Sequence, residues 1–268
     1  MDAPNATNAP NEPLLAERRD ERGVVTLTLN SPSNLNALSE AMLAALQAAF
    51  DRLAKDESVR VVVLGAVGKA FSGGHNLKEM IARPDVDYYR DLFDRCSRVM
   101  LAIQKLPVPV IARVQGIATA AGCQLVAQCD LAVAAEESRF AVSGINFGLF
   151  CSTPSVPLLR NVSAKKAMEM LVTGDFIDAR EAMARGLVND VAPADQLDAR
   201  IARLVDSILA KPRLAIAMGK DLFYRQREMG IEAAYQLASQ VMAANMIDSC
   251  AQDRVRAFAD KGKSKAPH

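Results

Sequence analysis

The segment VRVVVLGAVGKAFSGGHNLKEM, residues 59–80, joins an apolar, β-branched run to a loop that contains two adjacent glycines, Gly73 and Gly74. The continuous apolar run at residues 59–66 predicts a buried strand. Two explanations of the glycines stay open. In the first, they permit a tight turn with positive φ. In the second, the absence of side chains lets a ligand approach the backbone N–H groups closely.

Apolar runs of this kind alternate with helical patterns through most of the chain. Ser39 is placed to cap the first predicted helix. The predicted strands are residues 24–30, 59–66, 108–114 and 130–135, and the predicted helices are residues 39–55 and about 119–128. This alternation is typical of an α/β domain.

From about residue 195 the pattern becomes helical throughout, with amphipathic stripes. We therefore predict three regions along the chain. They are a disordered tail at residues 1–13, an α/β core at residues 14–192 and a C-terminal helical oligomerisation region at residues 193–268.

The composition limits the classes of partner. The chain has 268 residues, of which 50% are hydrophobic and 24% are charged, and its net charge is +1. A chain of this size can bury a substantial core. It has no bulk charge that would attract nucleic acid or a membrane surface, and its apolar runs are shorter than the roughly 18 residues of a membrane span. We expect neither nucleic acid nor membrane as a partner.

The cysteines and the first residues suggest a location. Five cysteines form no C-x-x-C pair, and only two histidines accompany them, so neither a disulfide framework nor a metal site is expected. The first 13 residues carry acid and lack arginine, which suits neither a signal peptide nor a transit peptide. These features predict a cytoplasmic protein.

A second glycine-rich turn resembles the first. The segment VPVIARVQGIATAAGCQLVAQCD, residues 108–130, leads from a predicted strand through Gly116 into a helix. The first turn of a helix has unpaired N–H groups and the positive end of the helix dipole. If the two turns converge, one N–H from each forms a two-donor oxyanion hole. Alternatively, the small residues only allow the helix to pack closely on the sheet.

Four segments together resemble the crotonase (enoyl-CoA hydratase/isomerase) superfamily in order and spacing. They are GVVTLTLNSPSNLNALS (23–39), residues 59–80, ARVQGIATAAGCQLVAQCDLAVAAEESRF (112–140) and LVTGDFIDAREAMARGLVNDVAP (171–193). The resemblance implies a spiral of ββα repeats and a C-terminal helical region that builds a homotrimer or a dimer of trimers. It also implies an acyl-CoA thioester as ligand, with no metal and no separate cofactor, because CoA is carried by the substrate.

The resemblance also assigns residues. It places the two oxyanion donors on the backbone N–H groups of His75 and Ala121. The other residues that it places at the substrate lie in or near the two turns and in the LNALS segment. They are Ala37, Leu38, Ser72, Gly73, Gly74, Asn76, Leu77, Lys78 and Gly122. For Lys78, a contact with a nucleotide phosphate and a solvated surface position stay open as alternatives.

Two positions depart from the hydratase pattern. Hydration needs groups that take and deliver protons, and hydratases of this superfamily use two glutamates. Gln124 and Gly144 occupy those positions here. An amide can orient a water molecule but cannot take its proton. We therefore expect a lyase- or isomerase-class enzyme that stabilises an enolate and hydrates poorly. A decarboxylase-type enzyme, a non-catalytic acyl-CoA binder and an assembly protein are the alternatives.

Two other side chains are possible proton carriers. Cys151 could act as a thiolate if its pKa were lowered, although a small buried apolar role is the simpler explanation. The His75 side chain titrates near neutrality, but we expect it to face away from the ligand, because the backbone at this residue faces it. The walls of the acyl pocket are expected from residues 80–100 and 140–157.

Overall fold

A computed structural model describes residues 13–263. The predicted disordered tail lies outside the described residues apart from Pro13. The chain divides into two compact units, the first ending at Asp206 and the second beginning at Ser207. This division falls later in the chain than the predicted boundary at residue 193, which remains a prediction.

The described residues of the first unit, 13–206, form ten strands. They are β1 (Leu15–Arg19), β2 (Val24–Leu29), β3 (Val61–Ala66), β4 (Ala70–Ser72), β5 (Val110–Val114), β6 (Ile117–Thr119), β7 (Leu131–Ala135), β8 (Arg139–Ala141), β9 (Ile177–Asp178) and β10 (Asp190–Ala192).

In the same described stretch of the chain, seven helices lie wholly within the unit and an eighth begins in it. They are α1 (Glu40–Leu53), α2 (Leu77–Ala82), α3 (Val86–Lys105), α4 (Ala121–Gln128), α5 (Ser152–Asn161), α6 (Ala164–Thr173), α7 (Ala179–Ala184) and α8 (Leu197–Leu209). Short 3-10 helices cover Pro32–Asn34, Ser143–Phe147 and Ala194–Gln196.

The strands form two sheets. The six-stranded sheet has the order β1-β2-β3-β5-β7-β10, in which only β1 runs antiparallel to its neighbour. The four-stranded sheet has the order β4-β6-β8-β9, and β4, β6 and β8 are mutually parallel. The predicted α/β class is confirmed.

From β3 to β8, consecutive strands alternate between the two sheets. In the pairs β3-β4, β5-β6 and β7-β8, the first strand joins the larger sheet and the second joins the smaller one, and a helix follows each pair. These are ββα units. Because β4, β6 and β8 are parallel and adjacent, the segments that leave their carboxyl ends meet at one edge of the smaller sheet. That edge holds the candidate site.

Helix α1 shows how the sequence fixes an element. Ser39 caps it as predicted, because its side-chain oxygen accepts a hydrogen bond from the Met42 N–H at 3.2 Å. The apolar residues of α1 recur at helical spacing and are buried against the core. They are Met42, Leu43, Leu46, Ala49, Phe50 and Leu53.

The second unit is helical. Its complete helices are α9 (Arg213–Gln226), α10 (Ile231–Ile247) and α11 (Ser249–Lys263). Helix α10 exposes large apolar side chains, among them Ile231, Tyr235, Met242 and Ile247, each at least 70% exposed. None of the helices within residues 13–263 is long and apolar enough to cross a membrane.

Candidate active site

A cavity of about 250 Å³ opens where β4, β6 and β8 end. Its walls come from the loop after β4, the start of α4, the segment after β8 and the start of α5, with further side chains from α2 and α3. The lining residues are Gly73, His75, Leu77, Met80, Phe93, Ala120, Ala121, Ser143, Gly144, Phe147, Leu149, Phe150, Cys151, Ser152, Thr153 and Pro154.

The first glycine-rich turn is held by hydrogen bonds from the loop that precedes α1. The Gly74 carbonyl accepts from the Leu38 N–H at 2.7 Å, and the Gly74 N–H donates to Ser72 Oγ at 3.2 Å. The Ser72 hydroxyl in turn donates to the Asn36 carbonyl at 2.9 Å. Gly74 has a φ of +92°, a conformation that favours glycine. The backbone of this turn is therefore fixed before any ligand arrives.

The second turn is tight at Ala120, whose φ of 49° and ψ of −122° are rare for a residue with a side chain. Ala121 begins α4, and Gly122 packs on β4. A Cβ atom on Gly122 would lie 2.2 Å from the Ser72 carbonyl oxygen. The close-packing explanation thus applies to Gly122.

The two turns touch each other. A Cβ atom on Gly74 would lie 3.2 Å from the Ala121 backbone nitrogen. Ala121 is the first residue of α4, so its N–H has no acceptor within the helix. Neither this N–H nor that of His75 donates a hydrogen bond to another residue within 13–263. The two turns therefore lie in contact, a point that the sequence pattern left open.

His75 is among the lining residues, but Nε2 of its side chain is buried, so the expectation that the ring faces away from the ligand stays a prediction. The ring packs edge-on against Phe93, which also lines the cavity, with ring centroids 5.4 Å apart. Its Nδ1 lies 3.3 Å from the Leu38 carbonyl oxygen. A carbonyl can only accept, so Nδ1 carries the proton in the neutral ring and Nε2 is an acceptor.

Burial lowers the pKa of His75, although the Leu38 carbonyl and the charge of Glu79 act in the opposite direction. The ring is therefore neutral at physiological pH. Its Nε2 is buried and has no hydrogen-bond partner among the described residues.

The two positions of the expected glutamates differ in their surroundings. Gln124 is 3% exposed in α4, does not line the cavity, and its Oε1 has no partner in the described part of the chain. Gly144 lines the cavity, and its N–H donates to Cys151 Sγ at 3.3 Å. A Cβ atom on Gly144 would lie 2.6 Å from the Leu149 carbonyl oxygen and 2.8 Å from that sulfur. The site has no room for a side chain here.

Cys151 lines the cavity as a buried thiol. Burial raises its pKa, and the hydrogen bond from the Gly144 N–H offsets this only in part. The thiol therefore stays protonated at neutral pH, which makes a thiolate role unfavourable.

The predicted site residues fall into two sets. Gly73, His75, Leu77, Ala121, Gly144 and Cys151 line the cavity. The others do not line it. Ala37, Leu38, Ser72 and Gly74 are buried around the first turn, Asn76 caps α2 by accepting from the Lys78 N–H, Lys78 is exposed, Gly122 packs on β4, and Gln124 is buried in α4.

Sequence reasoning missed individual wall residues. Ser143 is a polar one, and its hydroxyl lies 2.7 Å from that of Thr119 at the end of β6. The large apolar ones are Met80, Phe93, Phe147, Leu149 and Phe150. All six belong to the wall segments expected at residues 80–100 and 140–157. The sequence therefore indicated which segments form the wall, but no pattern identified the individual residues.

Comparison with known proteins gives consistent matches. The enoyl-CoA hydratase/isomerase family model matches residues 19–266. The enoyl-CoA hydratase domain-containing protein 3, mitochondrial, of Mus musculus is 44% identical over 253 residues, which cover 94% of this chain and 84% of the relative.

Two solved structures are also similar. The enoyl-CoA hydratase of Mycobacterium smegmatis is 65% identical with a TM-score of 0.92, over 93% of this chain and 97% of that chain. Human enoyl Coenzyme A hydratase domain-containing protein 3 is 42% identical with a TM-score of 0.89, over 93% of this chain and 98% of that chain.

The predicted cytoplasmic location is contradicted by these relatives. The mouse protein and its human counterpart, which is 42% identical over 267 residues, are both named as mitochondrial. The prediction rested on composition and on the first 13 residues, which are a weak indicator of location, and it is wrong.

Proposed function

The chain belongs to the enoyl-CoA hydratase/isomerase family, the crotonase superfamily that its sequence resembles, and on that premise we propose that it binds acyl-CoA thioesters. In this proposal the backbone N–H groups of His75 and Ala121 hold the thioester oxygen. Negative charge that develops on this oxygen, as in an enolate, is stabilised by the two donors. The CoA moiety arrives with the substrate, so the proposal includes no metal and no separate cofactor.

One observation carries this proposal. The N–H groups of His75 and Ala121 have no acceptor among the residues that the structure describes, and the turns that hold them are in direct contact. Backbone N–H groups are rarely left unpaired in a protein interior. A pair of them at one end of an apolar cavity is the arrangement that a thioester carbonyl would satisfy.

The same cavity supports a low rate of enoyl-CoA hydration. None of its lining residues is Asp or Glu, so neither carboxylate of a hydratase mechanism is available. General acid and general base groups each contribute about 10²–10⁴-fold in rate. The proposed enzyme therefore favours chemistry that needs a stabilised enolate more than it needs two carboxylates, and decarboxylation of an acyl-CoA is one such reaction.

A non-catalytic acyl-CoA binder is the second candidate. The observation that favours it is Gly144, because the contacts of its backbone with Leu149 and Cys151 leave no space for an acid at this position. Binding without turnover is the property that separates this candidate from the enzyme.

We also propose a homotrimer or a dimer of trimers. The exposed apolar side chains of α10 support self-association, since such a surface is unfavourable in water. Light scattering at micromolar protein tests this. A trimer or a multiple of it is expected, and a strict monomer would contradict the proposal.

Calorimetric titration and turnover assays with crotonyl-, methylmalonyl- and long-chain acyl-CoA test the main proposal. Free CoA is the control, because it lacks the thioester carbonyl. We expect acyl-CoA to bind more tightly than CoA. Binding with product formation supports the enzyme, binding without product supports the binder, and equal affinity for CoA and acyl-CoA contradicts both.

A further inference from the structure

Three large apolar side chains line the candidate cavity and are at the same time exposed to water. They are Phe147, Leu149 and Phe150, which we call the mouth segment, and they are 75%, 47% and 42% exposed. Neighbouring apolar side chains are unfavourable in water, and at a cavity they mark a surface that an apolar ligand covers. The mouth segment therefore indicates that part of the ligand is apolar.

Other walls of the cavity are also apolar. Leu77 and Met80 come from α2, and Phe93 comes from α3. The Phe93 ring packs on the rings of His75 and Tyr89, with centroids 5.4 Å and 6.5 Å apart. None of the described residues that line the cavity is Lys, Arg, Asp or Glu. The cavity thus offers a preformed apolar surface without a charged side chain.

An acyl-CoA has two arms that meet at the thioester, and they differ in polarity. The pantetheine arm carries amides and leads to the charged phosphates of the nucleotide, whereas the acyl arm of a fatty acid is a chain of methylene groups. Helix α2 offers polar groups, because the Asn76 side chain caps it and Lys78 is exposed. The mouth segment offers apolar side chains, so it suits the acyl arm better than the pantetheine arm.

The volume of the cavity sets the length of the acyl group. A protein cavity of about 150 Å³ holds benzene, which has six carbon atoms. By proportion, the cavity of about 250 Å³ holds about ten non-hydrogen atoms. An octanoyl group has nine such atoms and a butyryl group has five. A butyryl group would therefore leave about half of the cavity unfilled.

We propose that the cavity selects an apolar acyl group of about eight carbon atoms, whose tail covers the mouth segment, an inference that rests on the proposed acyl-CoA function. Phe147 and Phe150 are then residues that determine specificity for chain length. Each methylene group that moves from water into apolar surroundings strengthens binding by about fourfold. Shorter acyl groups meet the same two N–H donors but gain less from the mouth segment.

Calorimetric titration with free CoA and with butyryl-, hexanoyl- and octanoyl-CoA tests the proposal. The proteins are the wild type, Phe150→Ala and the control Phe176→Ala. Phe176 is 39% exposed, close to the exposure of Phe150, and it does not line the cavity. Both side chains lie outside the buried core, so their removal leaves that core intact. Light scattering records the mass of each protein.

We expect the affinity of the wild type to rise with each methylene group, so that octanoyl-CoA binds about 10²-fold more tightly than butyryl-CoA. This ratio should fall by about tenfold in Phe150→Ala, which uncovers about two methylene groups of the tail. The ratio should be unchanged in Phe176→Ala.

The same titrations contain the results that would overturn the inference. Equal wild-type affinity for butyryl- and octanoyl-CoA, with both bound more tightly than free CoA, would overturn it and leave the proposed function standing. An acyl-CoA affinity no higher than that of free CoA would overturn both. An unchanged ratio in Phe150→Ala also overturns the inference: an equal loss for free CoA would then assign Phe150 to the pantetheine arm, and a changed mass would assign the mouth segment to a second copy of the chain. If Phe150→Ala does not fold, the wild-type series decides.

Discussion

The backbone nitrogen of Ala121 lies 3.2 Å from the point at which a Cβ atom on Gly74 would stand. Only a hydrogen atom fits between the two turns at this point. The turns come from different ββα units, far apart in sequence, and their contact brings the two unpaired N–H groups to one cavity. The absence of a side chain at residue 74 is therefore a requirement of the site.

The variant Gly74→Ala should lose stability and acyl-CoA affinity together. Its methyl group would meet the Ala120 Cβ atom at 3.0 Å, at a φ of +92°. A loss of about 1–3 kcal/mol in the free energy of unfolding is expected. Gly186→Ala is the control, with a φ of +86° and a carbonyl oxygen, that of Asn161, at 3.0 Å. Denaturant unfolding and calorimetry should show both losses for Gly74→Ala and only the loss of stability for Gly186→Ala. Unchanged affinity in folded Gly74→Ala would count against the two-turn site.

Gly144 and Cys151 should be energetically coupled. Gly144→Ala forces a methyl group against the Cys151 sulfur and the Leu149 carbonyl, which should cost about 1–3 kcal/mol of stability. In a Cys151→Ala background the sulfur is gone, so the same change should cost about 1 kcal/mol less. A double-mutant cycle of unfolding free energies measures this difference. Additive effects would show that the two residues do not compete for space.

Restoring one carboxylate should not restore hydration. Gln124→Glu puts a carboxyl group at a position that is 3% exposed, and such burial raises the pKa of a carboxyl. The group stays largely protonated and has no second carboxylate to work with, so hydration of crotonyl-CoA should rise less than about tenfold. Gly144→Glu cannot supply the partner, because a Cβ atom does not fit there. Rapid hydration by the wild type or by Gln124→Glu would contradict this account.

Stability should depend on pH through His75. Burial lowers its pKa in the folded protein, so the unfolded chain binds more protons between the two pKa values. The neutral His75 ring therefore makes its full contribution to the free energy of unfolding above about pH 6.5. This contribution is lost as the pH falls through the folded-state pKa. Urea unfolding at about pH 7.5 and about pH 5 should show a smaller decline for His75→Asn than for wild type or His268→Asn. Equal declines in all three proteins would mean that the ring is not buried.

Four strands of the larger sheet, β2, β3, β5 and β7, could be predicted from the sequence because they are rich in apolar and β-branched residues, whereas β1 and β10 were not predicted. For example, all six residues of β3 are buried, which matches the run at residues 59–66. Strands β4, β6 and β8 have only three residues each, too few to show a period, and the sequence gives them no separate signal. The edge at which they end, and hence the location of the site, could not be predicted from patterns.

The candidate site could be predicted only in part. Gly74 and Gly122 are visible as glycines, but only the three-dimensional contacts separate their roles, since one faces the Ala121 nitrogen and the other the Ser72 carbonyl. The steric clash that a side chain at residue 144 would cause could not be predicted from the sequence either. It comes from the Leu149 carbonyl and the Cys151 sulfur, and Gly144 is not among the glycines with positive φ. Such long-range proximity is a property of the fold.

The infrared stretch of the bound thioester carbonyl reports whether the N–H groups of His75 and Ala121 hold the thioester oxygen. Butyryl-CoA labelled with carbon-13 at this carbonyl would be measured in water and bound to the protein, with the unlabelled compound as reference. Two backbone N–H groups in a site that excludes water should polarise the bond more than water does. We expect a lower frequency in the complex than in water, and a smaller shift with Gly74→Ala. A bound carbonyl that absorbs at or above its frequency in water would contradict this expectation.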